Sequence, residues 1–291
     1  MAKINRIPWL PGMSRFFWAV REQSLWGIMR AMRELVRPYL LPGATLLVVA
    51  GVSLLPAIPQ DLEYHSFADR RSILGVPHFW NVFSNLPFLL VGIYGLAAAA
   101  RARYSDARER TAWLVLFIGV TLTCFGSSYY HLDPSNQRLV WDRLPMTIGF
   151  MGFFAATLSE RVNLKLGLGA LPVLLLLGAA SVGYWHFTEQ AGRGDLRPYV
   201  VVQFFPLLLI PLLIWAHPAR YTRGTDIVVA IVFYGSAKLF ELLDAQIYSA
   251  GGLMSGHAIK HVAAAMATLW LARMLAQRQP ASAAVTAAAT A

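Results

Sequence analysis

The sequence contains a series of continuous apolar blocks, each long enough to cross a lipid bilayer as a helix, which takes about 20 residues. Of its 291 residues, 57% are hydrophobic and only 14% are charged, compared with about 25% in soluble domains. Transmembrane strands alternate polar and apolar residues, and these blocks do not. Because a backbone in lipid must satisfy its own hydrogen bonds, such blocks predict helices. The sequence therefore predicts an all-α polytopic membrane protein.

Eight of the blocks are predicted to be membrane spans. They cover residues 40–58, 78–100, 111–131, 142–159, 165–185, 198–216, 225–246 and 257–276. Residues 1–39 are basic and place apolar side chains at helical spacing, which predicts an amphipathic helix. Such a helix suits either an anionic membrane surface or the protein's own cytoplasmic face. The low-complexity stretch 277–291 predicts a disordered tail.

The distribution of positive charge predicts the orientation of the spans. With the N-terminus in the cytoplasm, cytoplasmic segments carry 17 of the 25 Lys and Arg residues, and outer segments carry six. Cytoplasmic loops of membrane proteins have this excess, so both termini are predicted to be cytoplasmic. The net charge of +10 then reflects orientation and does not indicate nucleic-acid binding. The single cysteine, Cys124, excludes an internal disulfide and any zinc site built from several cysteines.

Five polar residues from three spans are predicted to lie at the same, outer end of the bundle. Ser127 and His131 are four residues apart and share a helix face, and Asp142 begins the next span. His257 and His261 begin the last span and can bind one metal ion together, because histidines at i and i+4 also share a face. His131 would supply the third nitrogen of a catalytic zinc site, which keeps one position open for water. Asp142 would accept the water's proton, and Ser127 would hydrogen-bond the developing oxyanion.

Each of these residues also has a structural interpretation. Histidines in spans can join neighbouring helices by hydrogen bonds. Ser127 can bond a carbonyl of its own helix. Asp142 can cap a helix or pair with Arg138 or Arg143. The agreement in depth among three helices favours the metal site, since polar residues in spans are costly and usually functional.

The pattern formed by these residues resembles that of a known superfamily. Its elements are S-x-x-x-H, an Asp eleven residues later, and a late H-x-x-x-H, at Ser127, His131, Asp142, His257 and His261. It is similar to the seven-span hydrolase superfamily that includes alkaline ceramidases and the progestin and adiponectin receptors. FWNVFSNLPFLLVG at 79–92 further resembles the first core helix of alkaline ceramidases, and the likeness covers residues 64–276.

The resemblance implies a hydrolase that cleaves the amide of ceramide to sphingosine and a fatty acid. It implies a zinc ion held by three histidines, with an Asp and a Ser assisting the water and the oxyanion. Carried over to this chain, these are His131, His257, His261, Asp142 and Ser127. Residues 78–276 would be the seven-helix core, residues 40–58 an extra N-terminal transmembrane helix, and residues 59–77 an outer loop.

The calcium-binding segment of animal alkaline ceramidases is not reproduced. Those enzymes carry an acidic residue just before the F-W-N stretch, and here that position is His78. Asp61, Glu63 and Asp69 lie upstream at a different spacing, which argues against calcium. EYHSFADRR at 63–71 instead resembles the bacterial branch of the family. A bacterial inner membrane, with the site facing the periplasm, is therefore expected, and the substrate is either ceramide or another N-acyl lipid.

Three functional hypotheses follow. The first is a zinc-dependent lipid amidohydrolase, whose partners are the bilayer and its lipid substrate. The second is a receptor or scaffold with a structural zinc and little turnover. The third is a proton-coupled transporter that uses Lys238, Glu241 and Asp244, and the scarcity of polar residues in the inner halves of the spans argues against it. The sequence does not indicate an oligomeric state.

For the remaining polar residues on the late spans, a structural role is favoured over a role in substrate binding. Lys238 and Glu241 can pair on one helix face, and Asp244 can support a histidine. Lys260 can reach lipid headgroups or pair with an acidic residue. His65 and Asp69 lie four residues apart in the outer loop, which can form a lid or cap but is expected to be an ordinary solvated loop.

Overall fold

The structure, a computed structural model, describes residues 11–281, with side chains from residue 25 onwards. The first ten residues of the predicted amphipathic segment lie outside the described residues, as does most of the predicted tail, residues 282–291. The described part consists of ten α-helices with short 3₁₀ and π-helical segments between them. The prediction of an all-α fold of the membrane type is confirmed.

The helices run in chain order with short connections except between the first and second. Their bounds are α1 Pro11–Ser53, α2 Phe79–Phe83, α3 Leu86–Arg101, α4 Arg110–Leu132, α5 Asn136–Thr157, α6 Leu164–Gln190, α7 Arg197–Ala216, α8 Asp226–Leu242, α9 Asp244–Gly251 and α10 Gly256–Gln277. The 3₁₀ segments are Leu62–His65 and Ala107–Glu109, and a π-helical turn at Leu158–Val162 follows α5.

The long helices run back and forth between two ends of the bundle. At one end, here called the site end, Leu196 N–H donates to Ile58 O at 2.8 Å, which joins the outer loop to the start of α7. At the opposite end, Thr222 N–H donates to Gln279 O at 2.9 Å, which joins the α7–α8 connection to the chain after α10. The predicted outer loop therefore lies entirely at the site end.

A single cluster of buried apolar side chains joins α3 through α8 and α10. Trp113, Phe117 and Ile210 are fully buried within it. Between helices in lipid, close packing replaces water release as the main stabilising contribution. A smaller cluster at the site end contains Phe67 and Trp185, and it lies beside the polar residues predicted to be functional.

The contact between α4 and α5 depends on a glycine. A Cβ on Gly126 would lie 2.0 Å from Trp141 O, so only glycine allows the two backbones to approach this closely. Ser127 follows Gly126 on α4, and Asp142 follows Trp141 on α5. The glycine therefore brings the predicted serine and aspartate to the same interface.

The start of α10 is fixed by a cap and by a second glycine. Ser255 is the N-cap, and its hydroxyl accepts from Ala258 N–H. A cap of this kind stabilises a helix by about 1 kcal/mol. A Cβ on Gly256 would lie 2.2 Å from Phe240 O, so the first turn of α10 lies directly against α8. His257 and His261 belong to the first two turns of the helix placed in this way.

The predicted number of eight spans is not confirmed. Five helical segments of the described part are long and apolar enough to cross a membrane: Leu25–Ser53, Phe79–Arg101, Ala107–Leu132, Leu164–Gln190 and Arg197–Ala216. Of the others, α8 has only 17 residues, and α5 and α10 carry polar residues of the site. The first predicted span, residues 40–58, also has different bounds, since α1 continues through the predicted boundary between residues 39 and 40 and ends at Ser53.

Candidate metal centre

The three predicted histidine ligands come together at the site end. His131 lies in the last turn of α4, and His257 and His261 lie at the start of α10. Their ring centroids are 4.9 Å (His131–His257), 5.0 Å (His131–His261) and 5.1 Å (His257–His261) apart. One ring nitrogen from each can be chosen so that all three lie within 4.8 Å of one another. The cluster could therefore hold a metal ion.

The hydrogen bonding of the rings fits a metal. All three histidines are at most 5% exposed. Within the described part of the chain, His131 Nδ1 and His257 Nε2 are buried without a hydrogen-bond partner. Leaving a buried polar nitrogen unpaired is costly, and two such atoms in one cluster are expected where a ligand binds both. Three neutral imidazoles with an open fourth position are a typical donor set for zinc.

The third histidine is held by residues from another helix. Ser84 Oγ lies 2.8 Å from His261 Nδ1. The same hydroxyl donates a hydrogen bond to Asn81 O at 3.3 Å. Histidine ligands of metals are usually oriented in this way by a partner at the other ring nitrogen. Asn81 and Ser84 were not among the predicted site residues, although the polar residues in the otherwise apolar stretch FWNVFSN were a detectable signal.

Asp142 and Ser127 lie at the same end of the bundle as the histidines, and both are buried. Asp142 is not a helix cap, because α5 begins earlier and Ser135 is its N-cap. The predicted alternative of a pair with Arg138 is also wrong, since Arg138 pairs with Asp133 at 3.3 Å. Asp142, Ser127 and His261 line the same cavity.

The outer loop covers the histidines, so the expectation of a solvated loop is wrong. Phe67 is 3% exposed, and its ring centroid lies 4.8 Å from that of His131 and 4.4 Å from that of His257. His65 is hydrogen-bonded through both ring nitrogens, to Tyr130 Oη and Asn136 Oδ1 at 2.9 Å each. The loop therefore forms an ordered cap over the site, and we call residues 59–77 the capping loop.

Two carboxylates hold the capping loop in place. Asp244 accepts from Ala68 N–H at 2.9 Å and from His257 N–H at 2.7 Å, so it joins the loop to the first turn of α10. It supports the backbone of a histidine and not its ring. Asp69 is buried and accepts from Arg71 at 2.7 and 2.8 Å. The hydrogen bond from Arg71 lowers the pKa of Asp69, which keeps the carboxylate ionised.

Another histidine given no function by the sequence analysis lies at the edge of the site. His78 precedes α2 in a left-handed backbone conformation, with φ of 47°. Its Nδ1 lies 3.1 Å from His131 O, so it ties the end of the capping loop to α4. A histidine in this conformation is uncommon, and the chain carries it where the loop turns into the bundle.

A cavity of about 280 Å³ extends from the polar residues into the bundle. Its polar end is lined by Asp142, Ser127 and His261, and its walls continue between α5, α7, α8 and α10 with apolar side chains such as Phe153 and Leu271. The cavity thus combines a small polar end with a long apolar wall. An amphiphilic lipid with one acyl chain has a matching shape, with a small polar head and a long apolar chain.

Several charged side chains also line this cavity. Lys238 Nζ donates to Glu241 at 2.7 Å, which confirms the predicted ion pair. Lys260 also donates to Glu241, and Tyr64 Oη of the capping loop donates to the same carboxylate at 3.2 Å. Lys260 thus pairs with an acidic residue, one of the two predicted alternatives.

Comparison with known proteins gives one match. A family model described as Ceramidase matches residues 75–280 of the chain. This range contains all five predicted site residues and every helix from α2 onwards. No curated protein and no solved structure matches the chain.

Proposed function

Since the chain belongs to the ceramidase family, we propose that it is a zinc-dependent membrane hydrolase that cleaves the amide bond of ceramide or a related N-acyl lipid. The observation that carries the proposal is the buried cluster of three histidines next to Asp142, at the polar end of an otherwise apolar cavity. The products are a fatty acid and an amine.

In this proposal His131, His257 and His261 hold the zinc ion. The two unpartnered ring nitrogens, His131 Nδ1 and His257 Nε2, support this assignment. At the third histidine, Ser84 occupies Nδ1 and leaves Nε2 for the metal. When bound, zinc lowers the pKa of a water molecule and polarises a carbonyl group.

Asp142 and Ser127 carry out the proton transfer and the charge stabilisation. The Asp142 carboxylate takes a proton from the attacking water and later delivers it to the leaving nitrogen, so that the amine departs uncharged at the moment of bond cleavage. The Ser127 hydroxyl donates to the oxygen on which negative charge develops as the carbonyl carbon becomes tetrahedral. Both side chains line the cavity together with His261, where the reacting amide would lie.

The apolar wall of the cavity binds the acyl chain. Phe153 and Leu271 contribute to it well below the polar end, and Phe67 and the rest of the capping loop exclude water from above. The excess of Lys and Arg away from the site end supports an orientation with both termini in the cytoplasm. The site end would then face the outer side of the membrane, which in a bacterial inner membrane is the periplasm.

Zinc content tests the proposal most directly. The detergent-purified full-length chain is compared with His257→Ala and with His186→Ala, whose side chain contacts Gln190 away from the cluster. We expect about one zinc per chain in the wild type and in His186→Ala. We expect little zinc, and no release of fatty acid from ceramide, in His257→Ala. Equal zinc content and equal hydrolysis in all three proteins would disprove the assignment.

A further inference from the structure

Arg143 is a buried cation that the proposed hydrolysis does not use. It follows Asp142 on α5 and is 6% exposed. Its guanidinium carbon lies 4.1 Å from the ring centroid of Trp185 and 4.7 Å from that of Tyr199. Nη2 donates to Gln60 Oε1 of the capping loop at 2.6 Å. The group is thus fixed between two helices and the loop.

The hydrogen bonding of this guanidinium is incomplete. Within the described part of the chain, Arg143 Nη1 has no hydrogen-bond partner, and Arg143 forms no ion pair there. A buried charge is usually neutralised by an opposite charge or by a ligand, because removing an ion from water is costly. The aromatic rings offset part of that cost through their negative faces. They do not satisfy the N–H groups, so an acceptor is missing.

The charge of the cavity wall indicates what kind of acceptor fits. The side chains that line it include three cations, Arg143, Lys238 and Lys260, and two carboxylates, Asp142 and Glu241. Glu241 is engaged by both lysines. The wall therefore carries an excess positive charge at the end where a lipid head group would lie, before any metal adds to it. A neutral head group leaves this excess uncompensated.

We propose that Arg143 binds an anionic head group, a carboxylate or a phosphate, on the N-acyl lipid that enters this cavity. The proposal rests on the proposed function, in that it treats the cavity as the substrate site. Arginine suits the role because its planar guanidinium stacks on aromatic rings and offers parallel N–H groups to two oxygens of one anion. The rings of Trp185 and Tyr199 hold the guanidinium plane in position before the ligand binds. The arginine side chain therefore loses less conformational freedom on binding.

Matched lipids that differ only in charge test the proposal. The first pair is N-palmitoylglycine and its methyl ester, which removes the carboxylate charge. The second pair is N-palmitoyl-phosphoethanolamine and N-palmitoylethanolamine, which removes the phosphate. Dissociation constants are measured by microscale thermophoresis with the full-length protein in neutral detergent, and release of palmitate is measured in parallel.

The wild type is expected to bind at least one anionic lipid about tenfold more tightly than its neutral partner, as is usual for a hydrogen bond to a charged group. The pair that shows the preference distinguishes a carboxylate from a phosphate. In Arg143→Met the preference should disappear, and in Arg143→Lys, which keeps the charge, part of it should remain. Arg138→Gln is the control, because Arg138 pairs with Asp133 outside the cavity, and it should bind like the wild type.

Equal affinity for charged and neutral lipids in the wild type would overturn the proposal. So would a preference that persists in Arg143→Met. If Arg143→Met does not fold, as judged by its thermal midpoint without ligand, Arg143→Lys decides, since an undiminished preference in that variant would show that the planar guanidinium does not bind the anion. Tight anionic binding without fatty-acid release from these lipids or from ceramide would leave the subsite standing and refute the hydrolase. Palmitate release at equal rates from both members of each pair would support the hydrolase and refute the anionic subsite.

Discussion

Ser84 Oγ lies 2.8 Å from His261 Nδ1, a contact between residues that are 177 positions apart in the sequence. The contact joins the connection between α2 and α3 to the start of α10. It occupies one nitrogen of the histidine and so selects the other as the available ligand atom. The geometry of the metal centre therefore depends on a hydroxyl that would not itself contact the metal.

This contact predicts a specific effect of Ser84→Ala. Without the hydroxyl the imidazole of His261 can rotate, so zinc affinity should fall by about tenfold to a hundredfold. The cost in folding stability should be only about 1 kcal/mol. Competition with a fluorescent zinc chelator measures the affinity. Ser128→Ala, which removes a hydroxyl bonded to Val82 O, is the control. Unchanged zinc affinity in Ser84→Ala would show that the ring is held by other contacts.

The role of Asp142 separates an enzyme from a receptor or scaffold with a structural zinc. Asp142→Asn keeps the shape of the side chain but cannot accept the proton of water. We expect hydrolysis of an N-acyl lipid to fall about a hundredfold or more, while zinc content stays near that of the wild type. Palmitate release and metal analysis of the same preparation give both quantities.

The control for this prediction is Asp133→Asn, at an exposed carboxylate that pairs with Arg138. It should leave both quantities unchanged. If Asp142→Asn retained full activity, another base would have to be sought among the residues that line the cavity.

The capping loop should control the exposure of the histidines. Phe67→Ala removes a buried ring that packs on His131 and His257, so the free energy of unfolding should fall by about 3 kcal/mol, as for large core truncations. Zinc should also be removed faster by a chelator, since solvent reaches the cluster more easily. Thermal unfolding and the rate of zinc loss are the measurements. Leu74→Ala in the same loop, at a side chain that is 91% exposed, is the matched control. Zinc loss at the same rate in both variants would mean that access is limited elsewhere.

The convergence of the five predicted site residues could be derived from the sequence because it depends on regular geometry. Residues four apart on a helix share a face, which relates Ser127 to His131 and His257 to His261. In a bundle whose helices run back and forth, every second connection lies at the same end. Those two regularities bring α4, α5 and α10 together at one depth without any knowledge of side-chain contacts.

The capping loop could not be derived in this way. It has little regular structure, and its position depends on long-range contacts such as that of Ala68 N–H with Asp244, 176 residues later. A loop with charged residues usually lies in solvent, and nothing local distinguishes Phe67, which contacts the site, from Leu74, which does not. The surroundings of Arg143 escaped prediction for the same reason, since Gln60, Trp185 and Tyr199 come from three distant segments.

The first helix shows a different reason for a missed boundary. Pro38 and Pro42 lie on either side of the predicted boundary between the basic segment and the first span, yet both are inside α1. Proline removes one backbone hydrogen bond and favours a kink, but long membrane helices tolerate it. Local propensity alone does not decide whether such a helix ends.

Two of the three histidines belong to α10, the last helix, whereas the third was made more than a hundred residues earlier, on α4. During synthesis a nascent chain that ends before α10 therefore offers only one ligand, too few to retain zinc. If zinc binds as proposed, metal loading follows insertion of α10, which packs between α3 and α8. On the proposed function, a chain that ends before α10 would have no hydrolytic activity, so the membrane would not be exposed to lipid hydrolysis before that helix is in place.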